Sequence, residues 1–542
     1  MKRICLPIVF ASLPIVAIAC SSSNGSPNTG NVGADASAAG DPDVVDAMPQ
    51  TGAGVELTLS PANLHLHPNS TGSVQINLIR HGVAVPCLAT FDGLPAGVNA
   101  APVMIAADAT SGTATFVSDS TAVPGSSARV HVRCLTGLAT LALDILGPSG
   151  SIDTGYGDQG KAIGTVTFGT DDAHFGPDVH VARQADGKLV AVGEVLTSSS
   201  DFGVARYNED GTLDTTFGTG GRVATDIGSN TADSALGVTI QPDGKIIVVG
   251  STGEDTGDFA IVRYDADGTL DTSFDTDGKV VSSFSATTDR AVGVAVQDDG
   301  KIVVAGDVAN GTRFLLARYT PEGALDPTFN SAGSVSLPGN YARAMTIQPD
   351  GNMIVVGNAG DDMQVVRVTS DGILDTTFAS DGVESLDFNG FVDDARTVTL
   401  QKDGKILVLG SAGISSTVER FGIARLLPSG GLDTTFNTTG KVTVDGPSGG
   451  VGRSLAVQSD GKILVAGGAV STENETDFYV ARLTANGEVD PTFGEDGHVY
   501  VSFGGSTYNV ATNLFVLPRG RILAAGFALS PVFAPTFVRL WQ

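Results

Sequence analysis

Residues 241–250 read Gln241-Pro242-Asp243-Gly244-Lys245-Ile246-Ile247-Val248-Val249-Gly250. An Asp-Gly step between β-branched runs is a hairpin signal, because glycine takes φ > 0 at no steric cost. Upstream lies apolar Ala235 to Ile240. Downstream come Phe259-Ala260-Ile261-Val262-Arg263-Tyr264, a turn-rich stretch ending Leu270-Asp271-Thr272-Ser273-Phe274, and Lys279 to Phe284. The pattern predicts four short strands and contains no helical period.

The block recurs with its glycine at Gly187, Gly244, Gly300, Gly351, Gly404, Gly461 and Gly520, spaced 57, 56, 51, 53, 57 and 59 residues apart. A period near 50 marks a solenoid, propeller or array. Each unit also carries an Arg followed eight residues later by an Asp: Arg206/Asp214, Arg263/Asp271, Arg318/Asp326, Arg367/Asp375, Arg425/Asp433 and Arg482/Asp490. Six copies cannot all be active centres. They read as structural ion pairs that hold the third-to-fourth connection, and the Phe three residues on (Phe217, Phe274, Phe329, Phe378, Phe436, Phe493) reads as a core plug.

A seventh Arg, Arg539, stands three residues from the end of the sequence, and its missing Asp lies far upstream. Ile152-Asp153-Thr154-Gly155-Tyr156 reproduces the motif, with Tyr156 in the Phe position. Residues 161–168 are therefore expected to supply the outer strand of a seventh blade whose other strands come from residues 510–541. The fold class expected is all-β: a seven-bladed propeller over residues 151–542, closed by an N-terminal strand, which leaves only short edges.

These residues resemble the delta-60 repeat, a propeller-like repeat of bacterial secreted proteins. The resemblance covers about 390 residues, and it departs where Asn352 replaces the Lys and where the last turn is Pro518-Arg519-Gly520-Arg521. It implies no activity, so function has to come from sites. A single Trp, Trp541, argues against quinoprotein propellers, and sialidase, kelch and Trp-Asp signatures are missing.

The N-terminal part differs. Lys2-Arg3, an apolar run from Ile4 to Ala19 and then Cys20 followed by serines predict a lipoprotein signal peptide over 1–20, with Cys20 as the lipidation site. Residues 21–50 are too polar to fold and predict a tether with a reach of about 30 Å. Residues 51–148 alternate as half-buried strands do and resemble an immunoglobulin-like β-sandwich. In an exported chain Cys87 and Cys134 are expected to form a disulfide, a stabilisation of about 3 to 4 kcal/mol on the chain-entropy model.

The net charge of −28 argues against nucleic acid as a partner. Acids expected in the non-repeating loops are Asp171, Asp172, Asp178, Asp233, Glu254, Asp255, Asp289, Asp361, Asp362, Asp393, Asp394, Glu473 and Glu475, a rim that suits a cation or a basic partner. Asp265-Ala266-Asp267-Gly268 starts like a calcium loop but lacks the later ligands, and His65 and His67 share a strand face without a third ligand. No catalytic residue, cofactor or metal ligand is assigned, and calcium is the one ion considered. The reading is a monomeric, non-enzymatic module, held to the outer membrane by its lipid anchor, that presents the propeller's variable face to a protein or glycan. The alternative is a hydrolase or lactonase with a cation in the central channel near Asp233, Asp289 and Asp394.

Overall fold

The computed structural model describes residues 54–164 and 179–542, apart from 198, 229–230, 254–256, 445, 447–448, 473–474, 505, 507 and 530–532. The signal peptide, Cys20 and the tether lie outside the described residues. So do residues 165–168 and, among the rim acids, Asp171, Asp172, Asp178, Glu254, Asp255 and Glu473. No helix among the described residues is long and apolar enough to cross a membrane.

The Asp-Gly-Lys turns begin each hairpin in the same way. In the second blade Gly244 donates its N–H to the carbonyl of Gln241 at 2.9 Å, Gln241 donates to that of Lys245 at 2.8 Å, and Gly244 sits at φ +88. This geometry requires a residue without a Cβ penalty at that point. The hairpin joins Asp233–Ile240 to Ile246–Thr252, and Asp258–Tyr264 and Lys279–Ser282 complete the sheet in sequential antiparallel order. Six further units of the same plan follow among the described residues, with inner strands His180–Arg183, Arg290–Val296, Asn340–Ile347, Asp393–Leu400, Gly450–Val457 and Tyr508–Leu517.

The seventh unit is completed from the other end of the chain. Lys161–Ile163 pairs antiparallel with Phe533–Trp541, Lys161 opposite Val538. The inner strands close as well: Val181 donates its N–H to Asn513 Oδ1 at 2.9 Å, and Thr512 Oγ1 donates to the Val179 carbonyl at 2.5 Å. Residues 54–148, by contrast, form a sandwich. One sheet contains Gly54–Ser60, Thr71–His81, Ser111–Ser118 and Val98–Ala100; the other contains Asn63–Leu66, Gly137–Ile145, Ser127–Cys134, Cys87–Asp92 and Val103–Ile105. Ile76 and Phe116 from the first meet Val130, Val132 and Leu143 from the second in one core. Cys87 and Cys134 are joined in a disulfide between neighbouring strands, with Cα atoms 5.7 Å apart.

The repeated ion pair does more than span one connection. Each Arg donates from Nε to Oδ2 of its Asp, at 2.7 Å for Arg206–Asp214, 2.6 Å for Arg263–Asp271 and 2.8 Å for Arg318–Asp326, Arg367–Asp375, Arg425–Asp433 and Arg482–Asp490. The guanidinium lies over the aromatic plug, 4.5 Å from the ring centre for Arg263–Phe274 and 4.8 Å for Arg318–Phe329. Its Nη1 reaches into the following blade: Arg263 donates to the Pro321 carbonyl at 2.5 Å, Arg318 to Ser370 at 2.7 Å, Arg425 to Ala485 at 2.6 Å. The group therefore fastens blade to blade as well as strand to turn.

The Lys of each Asp-Gly-Lys turn joins the same carboxylate. Lys188 lies 2.8 Å from Asp214, Lys245 3.0 Å from Asp271, Lys405 3.0 Å from Asp433 and Lys462 2.9 Å from Asp490. Asp375 has no such lysine, because Asn352 stands there. At the closure Asp153 accepts from Arg539 at 2.7 Å and from Arg521, the equivalent of the turn Lys, at 2.8 Å. Arg539 lies 4.9 Å from the Tyr156 ring centre. The turn preceding Asp153 takes the place of the one a continuous blade would supply, since Gly494 of the sixth blade donates to the Ser149 carbonyl at 2.9 Å. Trp541 packs on the linker at Gly147, where a Cβ would come within 2.1 Å of its indole.

Asp153→Ala leaves two guanidinium groups without their carboxylate at the ring seam, and is expected to lower unfolding stability by about 3 to 5 kcal/mol; a urea midpoint unchanged from wild type would refute it. Burial is the largest influence on the Asp214, Asp271, Asp326, Asp433 and Asp490 carboxyls and raises them, yet bonds from the turn Lys, the Arg and the Thr or Ser two residues on outweigh it. All five lie well below the ordinary carboxylate range. Their contribution is complete above the unfolded-state value of about 4 and is lost as pH falls below it. Thermal melts should therefore drop steeply below about pH 4, and a flat profile there would contradict the clamp.

Candidate functional site

The antiparallel order sets two unlike faces. The turns between first and second strands and between third and fourth lie on one face and repeat. The other collects the loops between second and third strands and the links between blades, which differ from unit to unit. On a rigid scaffold binding sites gather at variable loops.

Three of the acids expected at that rim are structural. Asp233, Asp289 and Asp393 are each fully buried and stand eleven residues before the turn glycines Gly244, Gly300 and Gly404. Asp233 accepts the Ile227 N–H at 2.7 Å and Thr231 Oγ1 at 3.0 Å. Asp289 accepts the Phe284 and Ser285 N–H groups at 2.8 Å each. Asp393 accepts those of Phe388 at 2.7 Å and Gly413 at 2.9 Å. They satisfy the backbone of the links between blades, where unpaired N–H groups would be costly. Asp394 takes a different role, accepting from Arg343 at 3.1 Å and Arg396 at 2.8 Å. Asp233, Asp289 and Asp394 thus have separate partners and do not form a cation-sized group with one another among the described residues. Asp361 and Glu475 are exposed, and Asp362 accepts a bond from Ser385 at 2.9 Å.

Two groups of carboxylates have the spacing to hold a cation: Asp201, Asp226 and Asp233 between the first and second blades, and Asp362, Asp387 and Asp393 between the fourth and fifth. Both groups combine the start of a third strand, the residue after a fourth strand and the start of the next inner strand. Burial, with a smaller push from Asp387 and Asp362, raises the Asp393 carboxyl to about 6. The other metal readings give way to ordinary bonding. Asp265 to Gly268 is a turn closed by Gly268 N–H to the Asp265 carbonyl at 2.9 Å. His65 faces Asp144 at 3.3 Å, while His67 Nδ1 lies 2.5 Å from the Gly147 carbonyl.

The inner strands hold a feature that the sequence reading passed over. Six of them carry an irregularity in register just ahead of the residue that resumes pairing, at Leu236, Val292, Arg343, Arg396, Arg453 and Thr512. Bulges re-aim side chains and are frequent beside functional sites. Three consecutive blades place Arg there. The signal was present in the sequence, since each of the six stands eight residues before its turn glycine.

Beside this arc Tyr341 sits at φ +46 with 42% of its surface exposed. Its ring centre is 5.7 Å from the Arg343 guanidinium and 5.9 Å from that of Arg290. A bulky residue with positive φ is strained, and such strain collects at functional sites. A cleft of about 800 Å³ opens on the same face across the fifth to seventh blades. Phe391, Val392, Ser416, Thr417, Arg453 and Tyr508 are among its walls, with Asp361 and Glu419 also lining it.

Residues 184–217, 241–274, 297–329, 348–378, 401–436 and 458–493 match the family model described as a domain of unknown function (DUF5122) beta-propeller. Each match runs from the Asp-Gly-Lys turn to the aromatic plug. The chain is a β-propeller repeat protein. No curated protein matches the sequence. Among solved structures, the propeller protein is similar to a polysaccharide lyase titled PL25 ulvan lyase, at 10% identity and a TM-score of 0.37, covering 70% of this chain and 94% of that one. It is also similar to domains 5–6 of the S-layer protein SbsC, at 9% identity and a TM-score of 0.14, covering 53% of this chain and 98% of that one. At these scores neither likeness bears on activity.

The Asp393 carboxyl makes a further prediction. Because its folded value of about 6 exceeds the unfolded one near 4, lowering pH through that window favours the folded state. The Asp393→Asn variant should lose this rise between about pH 6 and 4; a wild-type melt that shows none would count against the buried carboxylate.

Proposed function

We propose that this propeller is a non-enzymatic binding module of the bacterial cell envelope, tethered through lipid on Cys20 and carried by an immunoglobulin-like sandwich. Its variable face would meet a glycan or protein. The observation that carries the reading is the contrast between the two faces. Repeating residues are committed to the ring, whereas the non-repeating loops surround a cleft of about 800 Å³ with aromatic and hydroxyl walls, one Arg and two carboxylates. A few polar groups placed in a largely preformed concavity suit ligand recognition. Catalysis by a cation held among Asp233, Asp289 and Asp394 finds no support in their separate bonding.

Immobilised protein screened on glycan and envelope-protein arrays tests the reading. Ser416→Trp, which fills the cleft, is expected to abolish recognition, while Lys402→Trp on the repeating face leaves it intact. Equal loss in both variants, or no recognition at all, would overturn it.

A further inference from the structure

We infer that the arc of Arg343, Arg396 and Arg453 is a binding site for an acidic saccharide, one carrying carboxylate or sulfate groups. The inference rests on the binding-module reading above and names its ligand class.

The first ground is charge. The chain carries 59 acidic and 31 basic residues, yet three adjacent inner strands bring three guanidinium groups to one register position, with Asp394 bonded between the first two. An Arg that spends two of its five donors on a protein carboxylate, as Arg343 does on Asp394, keeps the others in the same plane for carboxylate or sulfate oxygens. Arg453 opens directly onto the cleft. The second ground is the aromatic ring. Tyr341 is exposed, backbone-strained and set beside Arg343. A ring next to a guanidinium offers the apolar face of a pyranose a platform while its acid group meets the cation.

A saccharide fits better than an acidic peptide. Peptides gain affinity by adding to a sheet edge; the inner strands Asn340–Ile347, Asp393–Leu400 and Gly450–Val457 are edges of their sheets, but each is broken by a register irregularity at its Arg, which interrupts the regular ladder that an added strand would extend. The cleft wall instead offers hydroxyls from Ser415, Ser416, Thr417 and Thr476, suited to a polyhydroxylated ligand.

The test is calorimetric titration of the full chain with oligogalacturonate and dextran sulfate, against maltohexaose and polyglutamate as probes. One or both acidic saccharides should bind, more weakly as salt rises. Arg453→Gln should weaken that binding about 10- to 100-fold, the scale of a lost hydrogen bond to a charged group, in a protein that still unfolds in a single cooperative transition. Tyr341→Gly relieves the positive φ, so it should keep or raise the melting temperature while reducing affinity, a combination that a purely structural tyrosine would not give. Arg222→Gln, on an outer strand, should change nothing.

Equal affinity for maltohexaose would overturn the acidic class while leaving the binding face standing. Equal affinity for polyglutamate would assign the arc to an acidic peptide, and equal loss in Arg222→Gln would reduce the effect to diffuse charge. If none of the probes binds while Ser416→Trp still abolishes recognition on the arrays, the ligand class alone is wrong.

Discussion

The ring depends on one buried interaction repeated around it: an Arg whose Nε pairs with an Asp, whose plane covers an aromatic ring and whose Nη1 reaches the next blade. A paired charge in an interior is a poor source of net stability, because desolvation offsets much of the attraction. Its value here is geometric. The planar fork satisfies a carboxylate and a neighbouring carbonyl simultaneously, as Arg263 does with Asp271 and Pro321. It therefore fixes the third-to-fourth connection and the spacing between blades with one side chain. The second cation on each carboxylate, Lys245 on Asp271 for example, draws the first hairpin into the same knot. Asp153 receives Arg539 and Arg521 in the same way, so a seam between distant parts of the chain is held by the chemistry of a continuous blade.

With that face committed to architecture, chemistry is left to the opposite one. There the buried Asp233, Asp289 and Asp393 cap the links between blades, and this frees the loops to vary without undoing the ring. The bulge on the inner strand is the complementary device. It costs a local break in the ladder and leaves a side chain out of register in six of the blades, and in three neighbouring ones an Arg stands there. Apolar residues occupy the position at Leu236 and Val292, so the arc is confined to one side of the propeller.

Much of this was legible in the sequence because repetition multiplies the signal. A turn glycine with φ > 0, an Arg–Asp spacing of eight and a plug three residues later each recur with every blade, and the displaced Asp153 motif announces closure. The site was less legible. Asp393 and Asp394 are adjacent and look alike, yet one is buried against backbone N–H groups while the other bridges two arginines. The alternation of strand faces separates them, and a bulge shifts that alternation by one residue. Arg343, Arg396 and Arg453 share a fixed offset from the turn glycine, but an offset alone does not reveal a change of register.

The sequence by itself determined the all-β repeat, the partners within each blade and the origin of the last strand, because these follow from local spacing and turn chemistry. Only the tertiary structure decided which carboxylates are buried, which blade each arginine reaches, and where cations and the exposed Tyr341 come together. Those outcomes depend on the side-by-side packing of inner strands some fifty residues apart, a distance across which no local pattern carries the geometry.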